Sequence, residues 1–126
     1  RNGNVRAALA VDDDTPNLML GDASGKVRMV LHVNKNGSPG LSIHDNEGRE
    51  RLCLGVSKNG SPCLLLFDPN EKRRVLLELD AQGTPSLVLS DANEKSRAGL
   101  TMNANGAPGI VLQDANGKPI WFAPSK

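Results

Sequence analysis

The sequence predicts an all-β repeat protein. Two-strand hairpin units of about 23 residues follow one another, forming an antiparallel meander of about ten short strands. That meander is expected to curl into a barrel- or solenoid-like sheet or to pack against another chain. Three observations predict it. The arginines Arg6, Arg28, Arg51, Arg74 and Arg97 recur, the last four spaced by 23 residues. Apolar residues between them alternate with period two, in runs too short for helices. Turn-forming Gly, Asn, Asp and Pro punctuate every run.

Each unit opens on its arginine and reaches a leucine three residues later: Leu9, Leu31, Leu54, Leu77 and Leu100. A second apolar residue follows at Val11, Val33, Val56, Leu79 or Met102. These segments form the first strand of each hairpin. The turn that follows ends in Pro16, Pro39, Pro62, Pro85 or Pro108. Proline fixes φ and lacks an amide donor, so it belongs at the first position of a strand. The second strand carries the pairs Leu18/Leu20, Leu41/Ile43, Leu64/Leu66, Leu87/Leu89 and Ile110/Leu112. An aspartate closes it (Asp22, Asp45, Asp68, Asp91 or Asp114), and a polar turn leads to the next arginine. One β-repeat domain therefore spans 1–126. Its repeats are 6–27, 28–50, 51–73, 74–96 and 97–120, with 1–5 the tail of a truncated preceding unit and 121–126 a C-terminal cap. The first unit is one residue short at Asp13-Asp14-Thr15-Pro16, a turn deletion that leaves both strands intact.

Register follows from matching apolar positions. Folding about Asn36-Gly37 is expected to set Val33 opposite Leu41 and Leu31 opposite Ile43. Folding about Glu47-Gly48 sets Ile43 opposite Leu52 and Leu41 opposite Leu54. Both hairpins put leucines on one face, and the other face is mixed: Val30, Cys53, Leu65, Leu76, Val88 and Val111 beside His32, Glu78, Ser90 and Gln113. Aromatic content is only 2%, so any core must be aliphatic. One repeat cannot support itself, and neighbours must supply ladder hydrogen bonds and a shared dry surface.

No residue set points to catalysis, and no cofactor or metal is expected. Net charge is +1, which gives no electrostatic drive toward nucleic acid. The acidic turn Asp12-Asp13-Asp14 and the recurring aspartate turns lack the length and the distal glutamate of a calcium loop, and read as solvated turns. The Arg and Asp ladders read as cross-strand ion pairs rather than an anion-binding stripe. His32 and His44 lack a third zinc ligand, and no G-x-S-x-G elbow accompanies the serines. Cys53 and Cys63 are expected as reduced thiols, with Cys63 opposite Ser57 and the two Cα atoms roughly 14 Å apart by strand rise. Asn36-Gly-Ser and Asn59-Gly-Ser match glycosylation sequons but sit in required turns. Trp121 and Phe122 concentrate the aromatics at the C-terminus, where they cap the open end of the sheet or dock a partner.

These motifs, over essentially the whole chain, resemble those of uncharacterised bacterial proteins with R-A-x-L-x-V…G-x-P-x-L-x-L-x-D-x-x-G-K repeats. Members of that set often end in a segment like Gly117-Lys118-Pro119-Ile120-Trp121-Phe122-Ala123-Pro124. The resemblance implies an exported or membrane-tethered protein, with a hydrophobic segment upstream of Arg1 and a periplasmic or extracellular location. A further likeness is to the triple β-spiral of viral fibre shafts, which implies a homotrimer. The expected function is a non-catalytic structural or docking module acting through protein partners or self-association. One setting is an accessory subunit on a membrane assembly such as a photosynthetic reaction centre–antenna complex. A homotrimeric fibre shaft is the alternative, and a β-solenoid hydrolase, which would need an irregular insertion carrying paired carboxylates, is a remote third.

Overall fold

A computed structural model describes residues 3–103 and 105–123. The expectations placed on Arg1, Asn2 and 124–126 lie outside the described residues. The chain runs as β1 (Ala7–Asp12), β2 (Thr15–Gly21), β3 (Val27–Val33), β4 (Pro39–His44), β5 (Glu50–Val56), β6 (Pro62–Phe67), β7 (Arg73–Leu79), β8 (Pro85–Ser90), β9 (Ser96–Met102), β10 (Pro108–Gln113) and β11 (Pro119–Ala123). All eleven strands form one antiparallel sheet in sequence order. The sheet does not close: β1 and β11 are its two edges. Closure into a barrel, one of the covers left open by the sequence, is therefore ruled out for this sheet. The eleventh strand comes from the C-terminal segment, which pairs with β10.

The turns explain the regularity. At the wide turns, the Asn34 amide donates to the Ser38 carbonyl at 2.9 Å and the Gly37 amide to the Asn34 carbonyl at 2.8 Å. The aspartate turns repeat the scheme, with Asp45 to Arg49 at 3.0 Å and Gly48 to Asp45 at 3.1 Å. The third loop residue is left-handed, φ 83° at Gly37 and 86° at Gly48, and glycine takes that conformation without a Cβ clash. The shortened first unit instead closes with two residues, Asp13 and Asp14, at φ 50° and 62°. Both being positive marks the tight hairpin turn whose twist matches the strands.

This closure corrects the register at the wide turns. Asn34 and Ser38 pair with each other, so Val33 meets Pro39, Leu31 meets Leu41 and Met29 meets Ile43. The expected pairs were two residues further along β4. A shift of two preserves every side chain's face, so the apolar pattern survives it. The aspartate-side register, Ile43 opposite Leu52 and Leu41 opposite Leu54, is as expected. A bulge follows each of these pairings, between Ile43 and His44 in β4 and at the equivalent points of β2, β6, β8 and β10. Such bulges increase the local twist.

Glu71 and Glu94 occupy the left-handed position that glycine fills elsewhere, at φ 57° and 60°. Their carboxylates reach the preceding unit: Glu94 accepts from the Arg73 amide at 3.2 Å and lies 3.6 Å from Lys72 Nζ. Glu94→Ala should keep the strain and lose the acceptor, destabilising by about 1 kcal/mol. Glu94→Gly should lose the acceptor but relieve about 1 kcal/mol of left-handed strain, and so come out close to neutral. Urea titrations of the two variants check the difference.

No apolar side chain is buried among the described residues. The buried positions are Asn17, Gly40, Ser42 and Ser61. The described chain is therefore one layer of sheet without a hydrophobic core of its own.

Candidate interaction surface

The register assigns every strand residue to a face. One face carries Leu9, Leu18, Leu31, Leu41, Leu54, Leu64, Leu77, Leu87, Leu100 and Ile110, directly paired in a line across β1 to β10. Flanking them on the same face are further aliphatic residues such as Met29, Ile43, Leu52, Leu66, Val75 and Leu89, and the prolines that start β4, β6, β8 and β10. From β1 to β10 these paired positions hold no charged or hydrogen-bonding side chain. The midline leucines of the odd strands project furthest: Leu31 is 52% exposed, Leu54 48%, Leu77 47% and Leu100 46%. Soluble monomers rarely leave so large an apolar surface open to water.

The opposite face is the mixed one. It holds Met19, Val30, Leu65, Leu76, Val88 and Val111, all half-buried, interleaved with polar residues. His32 lies across Gly40, where an added Cβ would sit 2.8 Å from Nε2. His44, also on this face, is half-buried. Ser42 donates to Glu50 and faces Cys53 across the β4–β5 ladder. Such a Ser–Glu–Cys cluster would need a reactive thiol to act as a nucleophile. Burial, followed by the Glu50 charge, instead pushes the Cys53 thiol up from its ordinary value. The protonated thiol is a poor nucleophile.

The cysteine geometry differs from expectation. Cys63 pairs with Gly55, not Ser57, for the same reason that shifts the other wide turns: Ser57 and Ser61 close the loop together. Cys53 pairs with Leu65, so the two cysteines are diagonal neighbours on one face rather than distant. Diagonal Cα atoms are about 7–8 Å apart, which is long for a disulfide. Both thiols are free.

Arginines stitch successive units on the mixed side. Arg28 Nε donates to the His44 carbonyl at 3.0 Å, and its guanidinium lies 3.4 Å from the Asp22 carboxylate. Arg51 spans Phe67 and Asp45 in the same way, Arg74 spans Ser90 and Asp68, and Arg97 spans Asp114 and Asp91. Each guanidinium thus ties a turn before its own strand to the end of the strand after it. These arginines are engaged inside the sheet, which supports the ion-pair reading over an anion-binding stripe.

The turn aspartates are engaged as well. Asp45 Oδ1 accepts from the Glu47 and Arg49 amides, both at 3.0 Å, and Oδ2 accepts from Arg49 Nε at 2.9 Å. Asp22 accepts from the Ser24 hydroxyl at 2.6 Å and the Ser24 amide at 2.9 Å. The Ser24 hydroxyl does most to hold the Asp22 carboxyl down, at about 2. At Asp45 burial pushes the carboxyl up, but the Arg49 amide and guanidinium outweigh it and bring it to about 2. Asp68, Asp80 and Asp91 are lowered in the same sense. A carboxyl depressed by folding stabilises the fold above its unfolded value near 3.8, and that stability disappears as pH falls toward 2. Circular dichroism should accordingly show the strand signal stable from neutral pH to about 4, with loss of the urea midpoint between about pH 4 and 2.

The sequon asparagines also serve their turns, Asn36 accepting from the Ser38 amide at 3.0 Å and Asn59 from the Ser61 amide at 3.3 Å. Trp121 and Phe122 lie on the edge strand β11, Trp121 opposite Leu112 and Phe122 opposite Val111. They therefore point to opposite faces. They are 50% and 63% exposed, so they do not seal the sheet's end by burial in the chain itself.

No family model matches the sequence, and no curated protein is similar to it. Among solved structures, one similar chain is a mutant of S. aureus TarM in complex with fondaparinux, alpha-GlcNAc-glycerol and UDP. The likeness covers 90% of this chain and 21% of that one, at 11% identity and a TM-score of 0.42. That degree of similarity carries no inference about activity, and what the described residues establish is the architecture: an open, single-layer β-repeat sheet.

Proposed function

We propose that this chain is a non-catalytic structural and docking module, an extracytoplasmic accessory subunit held on a larger membrane-associated assembly. A photosynthetic reaction centre–antenna complex is one assembly of the required kind. The observation that carries the reading is the absence of any buried apolar side chain among the described residues, in a sheet whose one face is apolar from β1 to β10. A surface of that kind is completed by other polypeptide rather than by substrate. Regularity supports the same reading. Among the described residues from Arg28 to Gln113, every unit keeps its two strands, with no irregular insertion to carry paired carboxylates. The aromatic pair Trp121 and Phe122, exposed on an edge strand, suits contact with a different protein, since aromatic side chains anchor interfaces at low entropic cost.

The test uses the full-length protein in its own membranes, solubilised in mild detergent, with a photo-crosslinking amino acid in place of Phe122, which lies on the mixed face. The expected result is a cross-link to one non-identical protein at fixed stoichiometry, lost when the crosslinker is moved to the exposed turn residue Lys58. A protein that migrates free of other proteins and gives no such cross-link overturns the reading, as does specific turnover of a glycan or ester substrate by the purified chain.

A further inference from the structure

We propose that the leucine face is an interface between copies of this chain, sheet against sheet. The proposal deepens the docking reading by naming what covers that face, and it leaves Phe122, on the opposite face of the edge strand, to the other partner. The first argument is area. The chain exposes 8440 Å². A compact monomer of 13.4 kDa exposes roughly 6,500 Å². The excess of about 1,900 Å² is more than the roughly 800 Å² per partner of a standard interface and falls in the range of obligate ones.

The second argument is shape and chemistry. Eleven strands about 4.8 Å apart make a face about 50 Å long, ridged once per hairpin. A cover must be equally long, equally apolar and ridged at the same interval. Another copy meets all three conditions, because its own leucines recur at that interval by sequence. From β1 to β10 the face offers a foreign protein no charge or hydrogen-bonding group by which to be selected. Polar selection is what distinguishes one partner from another. Lysines and acids both occur along the rims, and the near-neutral charge of +1 sets up little repulsion between copies.

Packing two such faces makes a two-layer architecture with the sheets about 10 Å apart, leucines interdigitating between them as in a domain core. The contact is made by the same surface on each copy, so it closes rather than propagates when copies are related by a symmetry axis. Leu31, Leu54, Leu77 and Leu100, the projecting midline, would be the residues that enter the opposing face.

Light scattering on the full chain, with circular dichroism as a control on strand content, tests this together with photo-crosslinking. One crosslinker replaces Leu54 and, on the mixed face, a second replaces Val88. The expected mass is twice that of the chain at micromolar concentration, with chain-to-chain cross-links from position 54 and none from 88. Leu54→Asp is expected to weaken association by about a hundredfold or more, as for a central interface residue. If that variant does not fold, the cross-links of the parent chain decide. A monodisperse, strand-rich monomer, or cross-links from position 54 solely to a different protein, overturns the proposal. A monomer that still cross-links a foreign protein from position 122 removes this inference and leaves the docking reading standing. Self-associated chains without any foreign partner do the reverse.

Discussion

A chain lacking residues 51–73 is expected to fold into a nine-stranded version of the same sheet, with an unchanged circular dichroism spectrum per residue and a single cooperative urea transition. The deletion removes β5, β6 and the turn that follows, and joins Glu50 to Arg74. Glu50 stands before Arg51 as Arg73 stands before Arg74, so the new junction has the spacing of every other one. Arg74 keeps its own donation to the Ser90 carbonyl and gains the Asp45 turn in place of Asp68. Because contacts run only between neighbouring strands, removing one unit subtracts its own contribution and one interface. The urea slope should fall by about a fifth, in proportion to the surface removed.

Removing 62–73 instead, a single strand and its turn, is expected to destroy the cooperative transition. Ser61 would then lead directly into Arg74. With side chains alternating, Arg74, Leu76 and Glu78 would take the leucine-face positions of Pro62, Leu64 and Leu66, while Leu77 and all later leucines would cross to the other face. Neither face would then be continuous. The shorter deletion should be the more damaging one, a ranking that no model based on the amount of chain removed would give.

The second large effect is expected at Gly55. Gly55 pairs with Gly40 on one side and Cys63 on the other. A Cβ built there sits 3.0 Å from the Pro39 carbonyl oxygen, which is backbone held by the ladder. Gly55→Val should force β4 and β5 apart and cost about 2 kcal/mol or more, read as a lower urea midpoint at unchanged slope. Gly40→Ala meets a nominally closer atom, His32 Nε2 at 2.8 Å, yet should cost under about 1 kcal/mol, because the imidazole is free to swing aside. What decides between them is which neighbour has freedom to move.

Much of this fold was legible in the sequence. The period-two alternation gave the strands, the arginine and aspartate spacing gave the unit, and the Asn-Gly pairs gave the turns. Even the shortened loop at Asp13-Asp14 left both flanking strands in place, because a two-residue hairpin closes as well as a longer one. The wide-turn register was misjudged because the apolar positions alone cannot tell Leu31 opposite Leu41 from Leu31 opposite Ile43. The pattern repeats every two residues, and only the backbone closure between Asn34 and Ser38 fixes the choice. The cysteine separation was wrong for that reason. The carbonyl contacts of Arg28, Arg51, Arg74 and Arg97 were not foreseen, since a main-chain acceptor leaves no signature in residue identity. Glu71 and Glu94 could have been noticed as the residues standing where Gly25 and Gly48 stand, and their cross-unit amide contacts follow from that exchange. The pattern named the apolar face and its members; whether the sheet would bend round upon itself depended on accumulated twist, which short-range spacing does not encode.

Sequential pairing with two free margins has a metric consequence. Every added unit lengthens the molecule by two inter-strand spacings, about 9.6 Å, and leaves its cross-section alone. Span is therefore a count, adjustable in whole steps by duplicating or losing a segment of coding sequence.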